Sequence, residues 1–276
     1  MNIGLDLFFV LVLKAGIAGA AIATILSQFL SAGLVLLLLT RTEDIYRFRW
    51  REMGLDLTIL KRIVSIGLPA AIQSTLTAFS NIFVQSYVNV FGSDVMAGWG
   101  SYNKLDQLIM LVTQSMAMSV TTFVSQNVGA GNYRRADRGT GITLGLTLGI
   151  NAGIIALLYA FAPAAVRLFS PDAAVIEYGV LFIRTNSLFL VFLCTVHLLA
   201  GSLRGRGDSR GPMVIMMLSF VGIRQIYLFL ATRFIANTPR VVGFGYPVGW
   251  IFCCLLEAGY YLCQRRRDLH LSDGIK

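Results

Sequence analysis

The chain has 276 residues, of which 56% are hydrophobic and only 13% are charged, about half the charged fraction of a soluble globular domain. This composition excludes an ordinary soluble domain. The net charge of +9 does not indicate a nucleic-acid-binding protein, because the basic residues lie in short connections between apolar runs. Two histidines and four cysteines form no metal-binding pattern, and no set of side chains suggests catalysis. We therefore expect neither an enzyme nor a resident metal or cofactor.

The first apolar segment, residues 1–13, is too short to cross a bilayer, which requires about 20 residues of helix. It lacks the basic start of a signal peptide and carries Asp6 in its middle. We interpret it as the second half of a helix, and we expect the chain to be a fragment, the back part of a longer polytopic protein.

Seven longer apolar runs follow, and each is long enough to span the hydrocarbon layer. Lipid offers no hydrogen-bond partners, so each run must form a helix that satisfies its own backbone. The predicted fold is therefore all-α, a polytopic helical membrane bundle. The predicted spans are residues 17–39, 63–91, 101–128, 141–169, 177–202, 212–236 and 242–263.

Basic residues are concentrated in alternate connections, within residues 41–62, 134–138, 204–210 and 265–267. By the positive-inside rule these connections and the C-terminus are cytoplasmic. The prediction is a multi-pass protein of the cell membrane, with membrane lipid as a partner.

Polar side chains form stripes along two of the predicted spans. Stripes exposed to lipid would be unfavourable, so these faces point inward. They either hydrogen-bond neighbouring helices or line a hydrated substrate cavity, and we expect the cavity. Its predicted lining residues are Gln73, Thr77, Asn81, Gln85, Gln107 and Gln114.

Glycine recurs at every fourth position in the fourth of the long runs, from Gly141 through Gly145 and Gly149 to Gly153. Such a ridge of small residues permits close approach between helix backbones. We expect a helix contact there.

Charged side chains are rare inside the spans, and each is a functional candidate with ion pairing as the alternative. Asp106 and Arg184 are expected at similar depths in the bilayer, and Arg224 nearer its middle. We predict that Asp106 pairs with Arg184 or Arg224 in a structural role.

Four segments in order resemble the MATE (multidrug and toxin extrusion) transporter family. They are GIAGAAIATILSQ (16–28), GLPAAIQSTLTAFSNIFVQSYVNVFG (67–92), NKLDQLIMLVTQSMAMSVTTFVSQNVGAGNYRRADR (103–138) and LRGRGDSRGP (203–212). The resemblance covers nearly the whole chain. It implies export of cationic and amphipathic small compounds in exchange for Na⁺ or H⁺ by alternating access.

The resemblance also implies a domain organisation, because such transporters have two six-helix bundles. On this basis residues 1–40 are the tail of the N-terminal bundle, 41–62 a cytoplasmic linker, 63–263 a complete C-terminal bundle and 264–276 a cytoplasmic tail. The partners missing from the chain are the first helices of the N-terminal bundle.

A cation site can be carried over in part from one branch of the family. Asn2 and Asp6 match an Asn and an Asp four residues apart on one helix, and Thr24 matches a Thr on the next helix. Their oxygens are hard donors suited to a small cation. Another branch uses a Glu in the helix matching 67–92 and an Asp in the span 177–202. Here Thr77 lies near the first position and no acid lies deep in that span.

Two other classes fit part of the sequence. A seven-span receptor matches the span count, but the last span has neither a retinal lysine nor an Asn-Pro-x-x-Tyr motif. A flippase for lipid-linked oligosaccharides or polysaccharides, from the same superfamily, is the closer alternative. Its cavity would carry several cationic residues, whereas the stripes here are mainly uncharged amides.

Overall fold

The computed structural model describes residues 2–44 and 46–273, and these are helical apart from short turns and one connection. The α-helices are α1 (Asn2–Leu7), α2 (Gly16–Arg41), α3 (Leu57–Asn89), α4 (Ser93–Gly129), α5 (Tyr133–Ala160), α6 (Ala162–Arg167), α7 (Ala173–Asn186), α8 (Leu190–Gly205), α9 (Arg210–Met217), α10 (Arg224–Phe234), α11 (Pro239–Gly243) and α12 (Gly245–Asp273). Single turns of 3₁₀-helix lie at Trp50–Glu52 and Ser187–Phe189, and π-helical turns at Phe8–Val12 and Leu218–Ile223. No strand occurs among the described residues.

Seven helical segments are long and apolar enough to cross a membrane, as predicted. The protein is a multi-pass membrane protein. The last three spans are interrupted, by the turn between α7 and α8, by the π-helical turn between α9 and α10, and at Phe244 between α11 and α12. Several boundaries differ from the prediction by six residues or more. Three helices begin earlier, α3 at Leu57 rather than at 63, α4 at Ser93 rather than at 101 and α5 at Tyr133 rather than at 141, and α12 continues to Asp273 instead of ending at 263.

The chain divides into two compact units, Met1–Leu60 and Lys61–Lys276. In the first unit α1 and the π-helical turn after it pack against α2. A methyl group on Gly19 would lie 3.0 Å from the Phe9 carbonyl oxygen. The small residue therefore permits the close contact between α2 and the π-helical turn.

In the second unit α4 is the central helix and packs against α5, α7 and α8. Glycines permit two of these contacts. A methyl group on Gly98 would lie 2.8 Å from the Gly179 amide nitrogen of α7, and one on Gly201 would lie 2.8 Å from the Ala117 carbonyl oxygen of α4. Thr121 of α4 donates a hydrogen bond to the Gly201 carbonyl at 2.9 Å. Part of the polar stripe on α4 is therefore an interhelical contact.

The glycine ridge of α5 does not form the predicted helix contact. A methyl group added at Gly141, Gly145, Gly149 or Gly153 would meet no neighbouring atom of the described residues within 4 Å. The buried residues of α5 lie on a different face, where Thr140 bonds Ser202 of α8 and Asn151 bonds Thr113 of α4. The four-residue spacing identifies a face of the helix but not which neighbour covers it.

Four charged side chains and one tyrosine from three segments meet beside the C-terminal half of α12. We call this group the basic-end cluster (Asp137, Arg206, Tyr261, Arg265 and Asp268). Arg206 pairs with Asp137 of α5 and Asp268 of α12, and its side chain is only 5% exposed. Burial alone would lower the pKa of the Arg206 guanidinium, but the hydrogen bonds from its two carboxylate partners outweigh this and raise the pKa. Arg206 therefore remains charged and connects the turn after α8 to α5 and α12.

Candidate substrate cavity and cation site

A cavity of about 370 Å³ opens into the second unit and combines polar and apolar walls. Ligand pockets in proteins commonly enclose about 300–1,000 Å³, so the space suits a small organic molecule. Six helical segments supply the lining: α3, α4, α8, α9 with the π-helical turn after it, α10 and α12. The lining residues are Gln73, Ser74, Thr77, Ala78, Asn81, Asp106, Met110, Gln114, Leu193, His197, Met216, Phe220, Arg224, Tyr246 and Trp250.

Four of the six predicted cavity residues line this space: Gln73, Thr77, Asn81 and Gln114. Gln85 and Gln107 are also predicted to line a cavity, but they lie outside this one. Gln85 instead donates to the Asn89 side chain at 2.8 Å, and Gln107 is exposed outside the cavity.

Direction around the helix does not separate these two residues from the residues that line the cavity. A stripe of side chains at every fourth position rotates by about 40° per step, because successive residues are about 100° apart. This rotation does not move Gln85 off the cavity side, because by the same spacing it lies on the side of α3 that carries Ser74 and Ala78, which line the cavity. Gln85 instead lies about 6 Å further along α3 than Asn81. Gln107 lies seven residues before Gln114 and so on nearly the same side of α4, yet it is exposed outside the cavity; spacing along the helix does not account for its position.

The π-helical turn Leu218–Ile223 forms part of the cavity wall, and the sequence did not predict it. Ser80 of α3 donates to the carbonyl oxygen of Phe220 within this turn. Gln225 donates to the Ser80 hydroxyl at 2.9 Å. Such turns occur often at functional sites because they redirect side chains. Gly222 within the apolar run is the only local sign of irregularity in the sequence.

Arg224 follows this turn and is 1% exposed. Its Nη1 donates to the Asn81 side-chain oxygen at 2.8 Å. The guanidinium lies over the rings of Phe220 and Tyr246, at 4.9 and 4.5 Å from their centroids. The amide and the two π-faces hold a positive charge in place at the cavity wall.

Asp106 enters the same cavity from α4, and its Oδ1 is buried with no hydrogen-bond partner among the described residues. The predicted pairing is not formed: the described residues include no ion pair between Asp106 and either Arg184 or Arg224. Arg224 is bound to Asn81 instead. Arg184 lies over the Tyr159 ring and lines a different pocket. Depth along a helix does not determine the direction in which a side chain points.

The first unit contains the residues of the predicted cation site. Asn2 and Asp6 lie four residues apart on α1, which packs against α2, the helix that carries Thr24. Asp6 Oδ1 is buried and has no partner among the described residues. Asn2 donates to the Ser27 hydroxyl at 3.3 Å, and the Thr24 hydroxyl donates to the Ala20 carbonyl. Ser27 was not predicted, although it lies three residues after Thr24 and therefore near it on the same helix face.

The buried, unpaired carboxylate oxygen of Asp6 is compatible with a small cation or a proton, because either would neutralise it. The oxygen atoms of Asn2, Thr24 and Ser27 are of the type that hard cations prefer. Within the described residues, no cluster of three or more His, Cys, Asp or Glu side chains could hold a metal ion.

Comparison with known proteins decides the family. The MatE family model matches residues 69–230, more than half of the chain and most of the segment that builds the cavity. The chain belongs to the MatE family. This family consists of transporters rather than enzymes.

Curated relatives carry drug-resistance names. The chain is 28% identical to the "Probable multidrug resistance protein YpnP" of Bacillus subtilis, over 98% of this chain and 60% of that protein. It is 27% identical to the "Probable multidrug resistance protein NorM" of Thermotoga maritima, over 80% of this chain and 47% of that protein. The chain therefore spans only about half to three fifths of these relatives.

Solved structures agree on the fold. The structure titled "Outward-facing conformation of a multidrug resistance MATE family transporter of the MOP superfamily" matches with a TM-score of 0.90 and 20% identity. The match covers 97% of this chain and 60% of that one. These names and titles do not favour the flippase alternative.

Proposed function

We propose that this MatE-family chain acts in secondary active efflux of organic cations and amphipathic drugs, driven by antiport of Na⁺ or H⁺ through alternating access. The observation that carries the proposal is the cavity in the second unit, where amides, aromatic rings and one carboxylate face a common space. Aromatic faces and a carboxylate attract positive charge, and methionine side chains adapt to varied apolar shapes. The multidrug-resistance names of the curated relatives support drugs as substrates.

The coupling ion is assigned to the first unit. Asp6 is the ion-responsive group, and Asn2 and Thr24 supply neighbouring oxygens, with Ser27 as a further hydroxyl. A carboxylate inside a membrane has two inexpensive states, protonated or paired with a cation. An ion can drive substrate export only if it prefers a different conformation from the substrate, so the occupancy of Asp6 must change during the cycle.

The test is efflux of ethidium from energised cells that lack their own drug exporters. The cells express this chain together with any in-frame coding sequence that lies upstream of Met1. Asp6→Asn keeps the shape of the side chain and removes its charge. We expect it to abolish ion-driven efflux while membrane insertion and expression are largely unchanged.

Glu43→Gln is the matched control, because it neutralises an exposed acid in the connection after α2. It should export ethidium at the unmodified rate. Wild-type export by the Asp6→Asn variant would refute the coupling role. Absence of export by the unmodified protein, with or without an ion gradient, would refute the proposed function itself.

A further inference from the structure

A second cavity, of about 530 Å³, lies beside the C-terminal half of α12, where α5, α8 and α12 meet. None of the described residues lines both this space and the substrate cavity. Guanidinium groups and apolar surface face it together, a combination that suits an amphiphilic anion. These lining residues are Arg134, Arg138, Gly141, Leu144, Leu199 and Arg265.

The charge of this cavity is predominantly positive. Among the described residues, three arginines line it against a single acid, Asp137. Asp137 is already neutralised, because it pairs with the buried Arg206 and with Arg265 Nε at 3.1 Å. A guanidinium has several N–H donors, so Arg265 keeps donors for a further acceptor. Arginine forms strong, often bidentate, hydrogen bonds with phosphate, so a phosphate group matches this lining.

The position of the cavity along α5 matches the level of lipid headgroups. Arg134 and Arg138 lie one helical turn apart before residue 141, where the sequence predicts the span to begin, and Leu144 lies just inside the span. Basic pockets between membrane helices at the cytoplasmic surface bind the headgroups of anionic lipids. The basic connections are predicted to be cytoplasmic, on the side where anionic lipids give the membrane a negative surface.

The glycine ridge of α5 begins in this cavity and continues into the predicted span. Gly141, Gly145 and Gly149 lie on nearly the same side of the helix as Arg138, because they follow it at intervals of three or four residues. All three are exposed, and a methyl group on any of them would meet no neighbouring atom of the described residues within 4 Å. The arginines therefore select the ligand, and the glycines leave room for its chain.

We propose that this cavity binds one anionic phospholipid. The lipid phosphate accepts hydrogen bonds from Arg134 and Arg138 of α5 and from Arg265 of α12, so it joins the two helices. Leu144 contacts the first carbons of the acyl chains, and one chain continues along the glycine ridge. This site is independent of drug export, because none of its residues belongs to the substrate cavity or to the predicted cation site.

The test counts the lipids bound to the purified chain by native mass spectrometry, in an uncharged detergent. Dioleoylphosphatidylglycerol and dioleoylphosphatidylcholine have the same acyl chains, and only the first has a net negative charge. We expect one phosphatidylglycerol to bind about tenfold or more tightly than phosphatidylcholine. The double variant Arg134→Gln/Arg138→Gln should lose this preference. Circular dichroism checks that each variant is folded.

Two matched controls separate a built site from general attraction. Arg266→Gln/Arg267→Gln removes the same charge from exposed positions of α12 outside this cavity, and it should keep the preference. Gly141→Leu fills the start of the ridge without changing a charge, and we expect it to weaken phosphatidylglycerol binding severalfold. Gly259→Leu makes the same change at an exposed position of α12 where a methyl group meets nothing, and it should have no effect.

Glycerol 3-phosphate carries the phosphate without acyl chains, so a large excess should not displace the lipid. Displacement would show a site for soluble phosphate and would overturn the inference. An unchanged lipid preference in Arg134→Gln/Arg138→Gln, or an equal loss in Arg266→Gln/Arg267→Gln, would overturn it as well. Normal binding by Gly141→Leu would contradict the placement of the acyl chain on the glycine ridge.

Discussion

The basic-end cluster allows a quantitative prediction about stability. Arg206→Gln would leave the carboxylates of Asp137 and Asp268 without their shared counter-ion, and their side chains are only 8% and 17% exposed. Removing one partner of a buried ion pair destabilises a protein by about 3–5 kcal/mol. Asp137 keeps Arg265 at 3.1 Å and the Tyr261 hydroxyl at 3.3 Å. We therefore expect a loss near the lower limit, about 3 kcal/mol.

Arg265→Gln provides the control on the same carboxylate. The Arg265 side chain is 47% exposed, and an exposed ion pair contributes at most about 0.5–1 kcal/mol. Hydrogen bonding raises the pKa of Arg206 in the folded protein. The contribution of Arg206 to the free energy of unfolding is therefore present in full below the ordinary pKa of a guanidinium, and it is lost only as the pH rises through the raised pKa. The difference between Arg206→Gln and the unmodified chain should thus be constant between about pH 6 and 9.

The free energy of unfolding is measured in mixed detergent micelles, with circular dichroism as the signal for unfolding. A double-mutant cycle of Arg206→Gln with Asp137→Asn should give a coupling energy of about 1–3 kcal/mol. Equal, small losses for Arg206→Gln and Arg265→Gln would show that the cluster is solvated and that our reasoning from burial is wrong.

Three further predictions follow from the packing, the cavity and the charge bias. Gly201→Ala should destabilise the protein by about 1–3 kcal/mol, because the methyl group would meet the Ala117 carbonyl at 2.8 Å. Gly145→Ala meets nothing and should leave stability unchanged or slightly raised in the same unfolding assay. A cysteine replacing Gln114 should be protected from polar thiol reagents by a bound lipophilic cation, whereas one replacing Gln107 should react at the same rate with and without the cation; equal protection would contradict the assignment of the cavity. A reporter fused to the C-terminus should be active only in the cytoplasm, and activity only on the other side would refute the predicted orientation.

Features set by local sequence could be predicted well. Apolar length alone identified the seven spans, because a bilayer permits little besides a helix of about 20 residues. The stripe on α3 also identified a cavity face, since Gln73, Thr77 and Asn81 remain on one side of the helix over two turns.

Features that depend on neighbouring helices could not be predicted. The glycines of α5 have the spacing of a contact ridge but face open space, while the isolated Gly98 and Gly201 make the close contacts. The partner of Arg224 depends on a π-helical turn whose sequence, LSFVGI, resembles any other apolar segment. Tertiary packing determines such turns, and a single chain gives few local signs of them.

The most direct test of ion-driven antiport is substrate flux in proteoliposomes that contain this chain with any in-frame upstream sequence. A Na⁺ or pH gradient is imposed, and transport of tetraphenylphosphonium is followed together with the flux of the ion. We expect one of the two gradients to drive the organic cation in the direction opposite to the ion, and Asp6→Asn to remove this coupling. Substrate movement that is unaffected by both gradients would contradict it.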